Sequence, residues 1–189
     1  MRRVLVAGVG YTNLRDMSAG PLLAARLAAE AWPHGVEVHD LGYGAVHVAH
    51  DLQGLQEDQP YERAVVFGAV ARGRVPGTVT CYRWDGVLPD AGAVQAQVAE
   101  AVTGAISLDA LLIVGRQLGV LPDEVIVIEL EPADDSWGPA LTPAMERAME
   151  VARRTIRDAV LAASPPGPPL PLGGPALDHS ARTSVEPSA

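Results

Sequence analysis

The chain has 189 residues, 48% of them hydrophobic, and a formal net charge of −9, so it can bury one substantial core without disulfides or structural metals. The acidic balance argues against a nucleic-acid partner, because phosphates attract clustered basic residues. No apolar run approaches the roughly 20 residues of a membrane span, and we expect no membrane association. The lone Cys81 and the lack of an N-terminal targeting pattern favour a reducing, cytoplasmic compartment.

Short apolar runs alternate along the chain with segments of helical periodicity. We predict strands over residues 4–7, 36–38, 63–70, 77–83 and 124–130, and helices over 21–31, 46–55, 108–119 and 142–163. The third strand is continuously hydrophobic, which is typical of a central strand, whereas the fourth alternates as an edge strand does. Thr142-Pro143 gives the last helix a hydroxyl N-cap and a proline at its first position. The pattern predicts an α/β domain over residues 1–163, a three-layer αβα sandwich around a mostly parallel five-stranded sheet.

Residues 164–189 differ from the rest of the chain in composition. The segment is rich in proline and small or polar residues, and it cannot bury enough apolar area to offset the entropy cost of ordering. We predict a disordered, dispensable extension. The alternative is that it serves as a proline-rich docking peptide.

The first predicted strand is followed by Gly8-Val9-Gly10 and a loop that leads into the first helix. In α/β proteins this junction commonly forms a ligand site. A dinucleotide-binding fingerprint needs a third glycine where Asn13 stands, so the Gly-x-Gly pair alone is weak support for nucleotide binding. A Walker phosphate loop is excluded because the chain contains no lysine.

Five short motifs are spread over roughly residues 3–160, and their order and spacing are informative. They are the loop from Gly8 through Leu14 and Asp16 to Gly20, the turn Asp40-Leu41-Gly42-Tyr43-Gly44, the step Val75-Pro76-Gly77-Thr78, the pair Glu131-Pro132, and the helix start Leu141-Thr142-Pro143. This set resembles the hydrogenase maturation endopeptidases. The resemblance implies the αβα fold and a reaction in which a C-terminal extension is cut from the large subunit of a nickel-iron hydrogenase, with the nickel in that substrate as the recognition signal.

The resemblance also implies three metal-contacting positions, which fall at Met17, Gly68 and Gly104. The family places an acidic residue, an aspartate and a histidine there. Glycine offers no side-chain ligand, and a thioether suits copper(I) better than nickel(II). We therefore leave the catalytic residues unknown, expect no stably bound cofactor, and predict binding of the large subunit or its C-terminal extension rather than cleavage. The other form of this hypothesis is an atypical protease, and the alternative from another class is a small-molecule or nucleotide-binding α/β domain.

Several other residues are candidate ligands or supporting groups. His47 and His50 have i, i+3 spacing on the second helix and could form a metal pair, although solvent-facing polar residues are the simpler interpretation. Asp16 is expected to support the loop by accepting backbone N–H bonds or to cap the helix that follows. Ser107 and Asp109 are expected to cap a helix, and Cys81 to be a small buried apolar residue.

A further group lies in loops or segment ends after predicted strands, where ligands collect in open α/β sheets. Its members are Tyr11, Tyr43, Arg72, Arg74, Trp84 and Trp137. Arginine and aromatic side chains are frequent anchors at protein interfaces. We interpret these residues, with Asp16, as candidates for a peptide-binding cleft; the alternative is that they are surface arginines and tryptophans that cover the end of the sheet.

Overall fold

The computed structural model describes residues 2–56, 59–102 and 107–175. The strands are β1 (Val4–Val9), β2 (Val36–Asp40), β3 (Arg63–Ala69), β4 (Val79–Trp84), β5 (Glu124–Leu130) and β6 (Pro169–Leu170). The helices are α1 (Ala19–Ala28), α2 (Ala45–Leu55), α3 (Ala91–Val102), α4 (Leu108–Gln117) and α5 (Pro143–Leu161), and a short 3-10 helix (Arg15–Ser18) precedes α1.

The strands form one sheet in the order β2-β1-β3-β5-β4-β6. Strands β2, β1, β3 and β5 are parallel, with Val6 opposite Val65 and Val65 opposite Ile126. Strand β4 runs antiparallel to β5, and β6 pairs in parallel with β4. The predicted α/β class with a mostly parallel sheet is confirmed, with six strands instead of five.

Helices cover both faces of the sheet, so alternate residues of each central strand enter different cores. Val65, Phe67, Ile126 and Ile128 pack beneath α1 and α5. Ala64, Val66, Val125 and Val127 pack on the opposite side with α2 and α4. All seven residues of β3 are buried, which is why its sequence is continuously apolar rather than alternating.

Helix α5 begins and ends at identifiable contacts. The Thr142 hydroxyl accepts from the Met145 amide at 3.2 Å, and Pro143 occupies the first turn, as the sequence predicts. At the other end, the buried Arg63 guanidinium donates to the carbonyls of Ala159 and Ala162 at 2.6 and 2.8 Å. These bonds satisfy carbonyl groups that a helix terminus leaves without partners.

Three features depart from the sequence interpretation. Helix α3 was not predicted, and β4 is not the outermost strand because β6 lies outside its last two residues. The expectation of disorder from residue 164 is wrong for residues 164–175, which the structure describes, because Pro169–Leu170 joins the sheet. Residues 176–189 lie outside the described residues, and for them disorder stays a prediction. No helix in the described ranges is both long and apolar enough to cross a membrane.

Candidate functional site

The carboxyl ends of β1, β2, β3 and β5 meet at one edge of the sheet, because these four strands are parallel. Ligands of open α/β sheets bind at this edge. The loop from residue 10 to residue 18 follows β1, and we call it the first loop. It lies against the segment that follows β5, which places two of the sequence motifs side by side.

The first loop is held in an unusual backbone conformation. Asn13 and Arg15 have φ angles of 60° and 40°, values that non-glycine residues adopt rarely and at a cost. Gly138 secures them, since its carbonyl accepts from the Arg15 amide and its amide donates to the Asn13 carbonyl, both at 2.9 Å. The conformation therefore depends on the segment after β5.

Asp16 joins the first loop to the start of α5. Its carboxylate is fully buried and accepts three hydrogen bonds, from the Ala133 amide at 2.9 Å and from the Thr142 amide and hydroxyl at 2.8 Å. Asp16 does accept backbone N–H bonds, as expected, but the backbone that it supports follows β5 and is not its own loop. With its oxygens occupied, Asp16 is not exposed in the cleft.

Two of the three metal-contacting positions implied by the resemblance lie in the described residues. Met17 is partly buried and packs against the core beneath α1 and α5. A Cβ atom at Gly68 would lie 2.5 Å from the Val9 carbonyl oxygen on β1, so the strand spacing leaves no room for a side chain. Gly104 lies outside the described residues. Within the described ranges, no group of three or more His, Cys, Asp and Glu residues is placed to hold a metal ion.

The other candidates on this side of the sheet occupy different surroundings. His47 and His50 are both exposed on α2. The Tyr43 hydroxyl, just before α2, donates to Asp51 at 2.9 Å; partial burial and the Asp51 carboxylate raise the pKa of Tyr43 to about 12. Tyr11 is half-buried, and its amide donates to the Met17 carbonyl at 3.1 Å.

The two tryptophans proposed for the cleft differ in their exposure to solvent. Trp84 is only 2% exposed and belongs to the core with α2 and α4, so its proposed role in a cleft is wrong. Trp137 is 77% exposed in the loop after β5. Cys81 is half-buried against the other core, and burial raises the pKa of its thiol, in agreement with the expected apolar role.

A buried ionic group that the sequence analysis missed lies beside this edge, and we call it the Glu129 cluster. It consists of Glu129, Arg72, Arg74, Tyr82 and Asp109. Glu129 is fully buried near the end of β5 and accepts from Arg72 at 2.7 Å, Arg74 at 2.6 Å and the Tyr82 hydroxyl at 2.9 Å. Arg72 also makes a two-bonded pair with Asp109 at 2.7 and 2.8 Å.

Charge compensation sets the protonation state of the Glu129 cluster. Burial alone would raise the pKa of Glu129, but the guanidinium donors of Arg72 and Arg74 outweigh it and hold the pKa below its usual range. Burial opposes the charge of Arg72, but Asp109 and Glu129 keep its pKa above the ordinary value. Glu129 and Arg72 therefore remain ionised, and loss of either charge would leave the other partner buried without its counter-charge.

The same contacts correct the roles expected for Arg72 and Asp109. Arg72 is directed inward, and its amide donates to Glu131 at 3.0 Å, which anchors the loop after β3. Asp109 pairs with Arg72, whereas Ser107 alone caps α4 by accepting from the Ala110 amide at 3.0 Å. The sequence did contain a signal for this cluster: Glu129 and Glu131 lie at the end of an otherwise apolar, buried strand. Buried charges need partners, so these two residues predict ion pairs or hydrogen bonds nearby.

Comparison with solved structures shows which proteins share this architecture. A hydrogenase 2 maturation peptidase from Thaumarchaeota archaeon SCGC_AB-539-E09 has 25% identity and a TM-score of 0.59, with 85% of this chain and 99% of that chain covered. The fold is that of the hydrogenase maturation peptidases. The maturating endopeptidase HybD from Escherichia coli shares it at 22% identity and a TM-score of 0.61, covering 84% and 91%. The maturation protease HycI from Thermococcus kodakarensis does so at 18% identity and a TM-score of 0.59, covering 82% and 90%.

No family model and no curated protein matches the chain. The resemblance inferred from the five motifs is nevertheless confirmed by the maturation peptidase structures, which cover most of the chain. In this example of the maturation peptidase fold, an ion-paired cluster around Glu129 lies beside the edge of the sheet, and a methionine and a glycine stand at positions 17 and 68.

Proposed function

We propose that the chain acts in the maturation of a nickel-iron hydrogenase by binding the large subunit, or its C-terminal extension, without cleaving it. The likeness to hydrogenase maturation peptidases over most of the chain supports the process and the partner. The lone Cys81 supports a reducing compartment, the cytoplasm, as the place of action.

The single observation that carries the non-catalytic part is the close approach of β1 and β3 at Gly68. A Cβ atom there would overlap the Val9 carbonyl oxygen at 2.5 Å, so the backbone is arranged for the absence of a side chain and not merely for a different one. The partly buried Met17 adds only a thioether, a poor match for a nickel(II) ligand. Recognition of nickel through this pair of positions is therefore not supported.

Exposed apolar side chains provide a surface for a protein partner. Tyr43, Val75 and Trp137 follow β2, β3 and β5, and they are 38%, 75% and 77% exposed. A cavity of about 380 Å³ opens beside the first loop, between Asn13, Leu22 and Pro139. Exposed aromatic residues such as Tyr43 and Trp137 are typical anchors for an incoming chain.

A binding and cleavage assay with the large-subunit precursor tests the proposal. The full-length chain is immobilised and offered the precursor with and without nickel, and a precursor that lacks its C-terminal extension serves as a control. We expect both complete precursors to bind equally and to remain uncut, with Trp137→Ala weakening binding at least tenfold. Nickel-dependent shortening of the precursor would contradict the non-catalytic role, and failure of all precursors to bind would contradict the partner.

A further inference from the structure

The segment after α5 folds back against the sheet, and we call residues 169–174 the tail strap. Pro169–Leu170 lies opposite Arg83 and Trp84 of β4, and the Asp85 amide donates to the Leu170 carbonyl at 2.9 Å. Leu170 and Leu172 pack against the core on the side of α2 and α4. The strap therefore contributes a short strand and two apolar side chains.

Side chains of the domain recognise the backbone of the strap at Gly173. Its amide donates to the Tyr82 hydroxyl at 3.0 Å, and its carbonyl accepts from Arg74 at 2.5 Å. Tyr82 and Arg74 are both fixed by Glu129, so the donor and acceptor are held in place before the strap arrives. Main-chain recognition at a sheet edge, with pockets for alternate side chains, is a recurring way of binding extended peptides.

Two glycines let the strap approach Tyr82 closely. Gly173 and Gly174 have φ angles of 95° and 69°, and the Gly174 amide closes a turn by donating to the Pro171 carbonyl at 3.0 Å. A Cβ atom at Gly174 would lie 2.7 Å from the Tyr82 ring. The surface formed by β4, Tyr82 and Arg74 therefore favours a segment in which two leucines are separated by one residue and followed by two glycines.

The tail strap has few backbone hydrogen bonds to hold it on β4. It pairs with β4 over only two residues, and Pro169 and Pro171 have no N–H to give to a ladder. We propose that β4, Tyr82 and Arg74 form a binding site for an extended Leu-x-Leu-Gly-Gly peptide of another protein, which the tail strap occupies as an intramolecular competitor. This proposal does not depend on the hydrogenase partner, because it is derived from the strap and its contacts alone.

Tethering explains why the isolated chain keeps the site closed. A segment joined by a short linker acts at an effective concentration on the order of millimolar. A free peptide with the same pattern therefore competes poorly until the strap is weakened. Displacement would uncover Arg74, which is 9% exposed with the strap in place.

The test uses the full-length chain and a fluorescent peptide with the sequence of residues 166–175. Gly174→Val should displace the strap through its contact with Tyr82, whereas Pro175→Ser changes an exposed position beside it. We expect Gly174→Val to bind the peptide at least tenfold more tightly than the unmodified chain or Pro175→Ser. A peptide with both leucines replaced by serine should not bind. Equal affinities for the folded Gly174→Val variant and the unmodified chain would overturn the proposal.

Hydrogen exchange of the unmodified chain provides a second measurement that needs no variant. Local opening of the strap should let the Asp85 and Gly173 amides exchange at least 100-fold faster than the Val127 amide in the centre of the sheet. Exchange of all three amides at one rate would overturn the proposal, because the edge would then open only when the whole domain unfolds.

Discussion

Two glycines in different surroundings test how tightly the candidate site is packed. A Cβ atom at Gly68 would meet the Val9 carbonyl oxygen at 2.5 Å, whereas one at Gly54 in α2 has nothing within 4 Å. We expect Gly68→Ala to lower the free energy of unfolding by about 2 kcal/mol through overpacking. Gly54→Ala should raise it by about 0.5–1 kcal/mol, because alanine is the better helix former.

Urea denaturation of the two variants at neutral pH measures both changes. A Gly68→Ala variant as stable as the unmodified chain would show that β1 can move away from β3. The argument against a side chain, and hence against a ligand, at this position would then fail. Gly54→Ala is the control, because it shows whether an alanine that meets no crowding raises the free energy of unfolding of the same chain.

Single residues also show what the sequence could reveal of the site. Asp16 was recognisable as a supporting carboxylate, because a short acidic residue before a helix commonly binds backbone amides. Arg72 and Trp84 follow predicted strands, where ligands collect in open α/β sheets, so the sequence places them in a cleft. Their actual contacts are long-range, with Glu129 and with the core, and no local pattern encodes the partner of a side chain.

At the scale of elements, hydrophobic periodicity located the strands and helices with strong patterns. Strands β3 and β5 are long and continuously apolar, and α5 carries a capping threonine and a proline start. Helix α3 is composed largely of alanine, valine and glutamine, so its apolar face is weak and it was missed. Strand β6 was missed because proline argues against strand pairing, while its pairing partners Arg83 and Trp84 lie far away in sequence.

Because of the tail strap, the effect of a C-terminal truncation should depend on where the chain is cut. Deleting everything after Ala163 removes Leu170, Leu172 and the contacts of Gly173. We expect this to lower the free energy of unfolding by about 2 kcal/mol, the order expected for two partly buried leucines. Deleting only the residues after Pro175 should leave it unchanged. Urea denaturation of both truncated chains measures the difference in their free energies of unfolding. Equal stability would show that the tail strap does not stabilise the domain.

At the scale of the whole molecule, arginine supplies every basic side chain apart from the histidines. Glu37, Glu124 and Glu129 each pair with arginine at short range. Burial raises the pKa of each carboxyl, but its hydrogen-bond donors outweigh this effect and lower the pKa below the ordinary value of 4.5. A folded-state pKa below that of the unfolded chain adds stability above pH 4.5, and this stability is lost as the pH falls through the folded-state pKa.

Glu129 should contribute the largest part of this acid sensitivity, because its side chain is fully buried and touches two guanidinium groups. At pH 7 we expect Glu129→Gln to lower the free energy of unfolding by about 3 kcal/mol, since it leaves Arg72 and Arg74 without their shared counter-charge. Protonation of the unmodified chain removes the same charge, so the two stability curves should converge as the pH falls from 4.5 toward 3. Urea denaturation across this range tests the convergence, with the exposed Glu146→Gln as control. Parallel curves would mean that other carboxylates cause the loss of stability in acid.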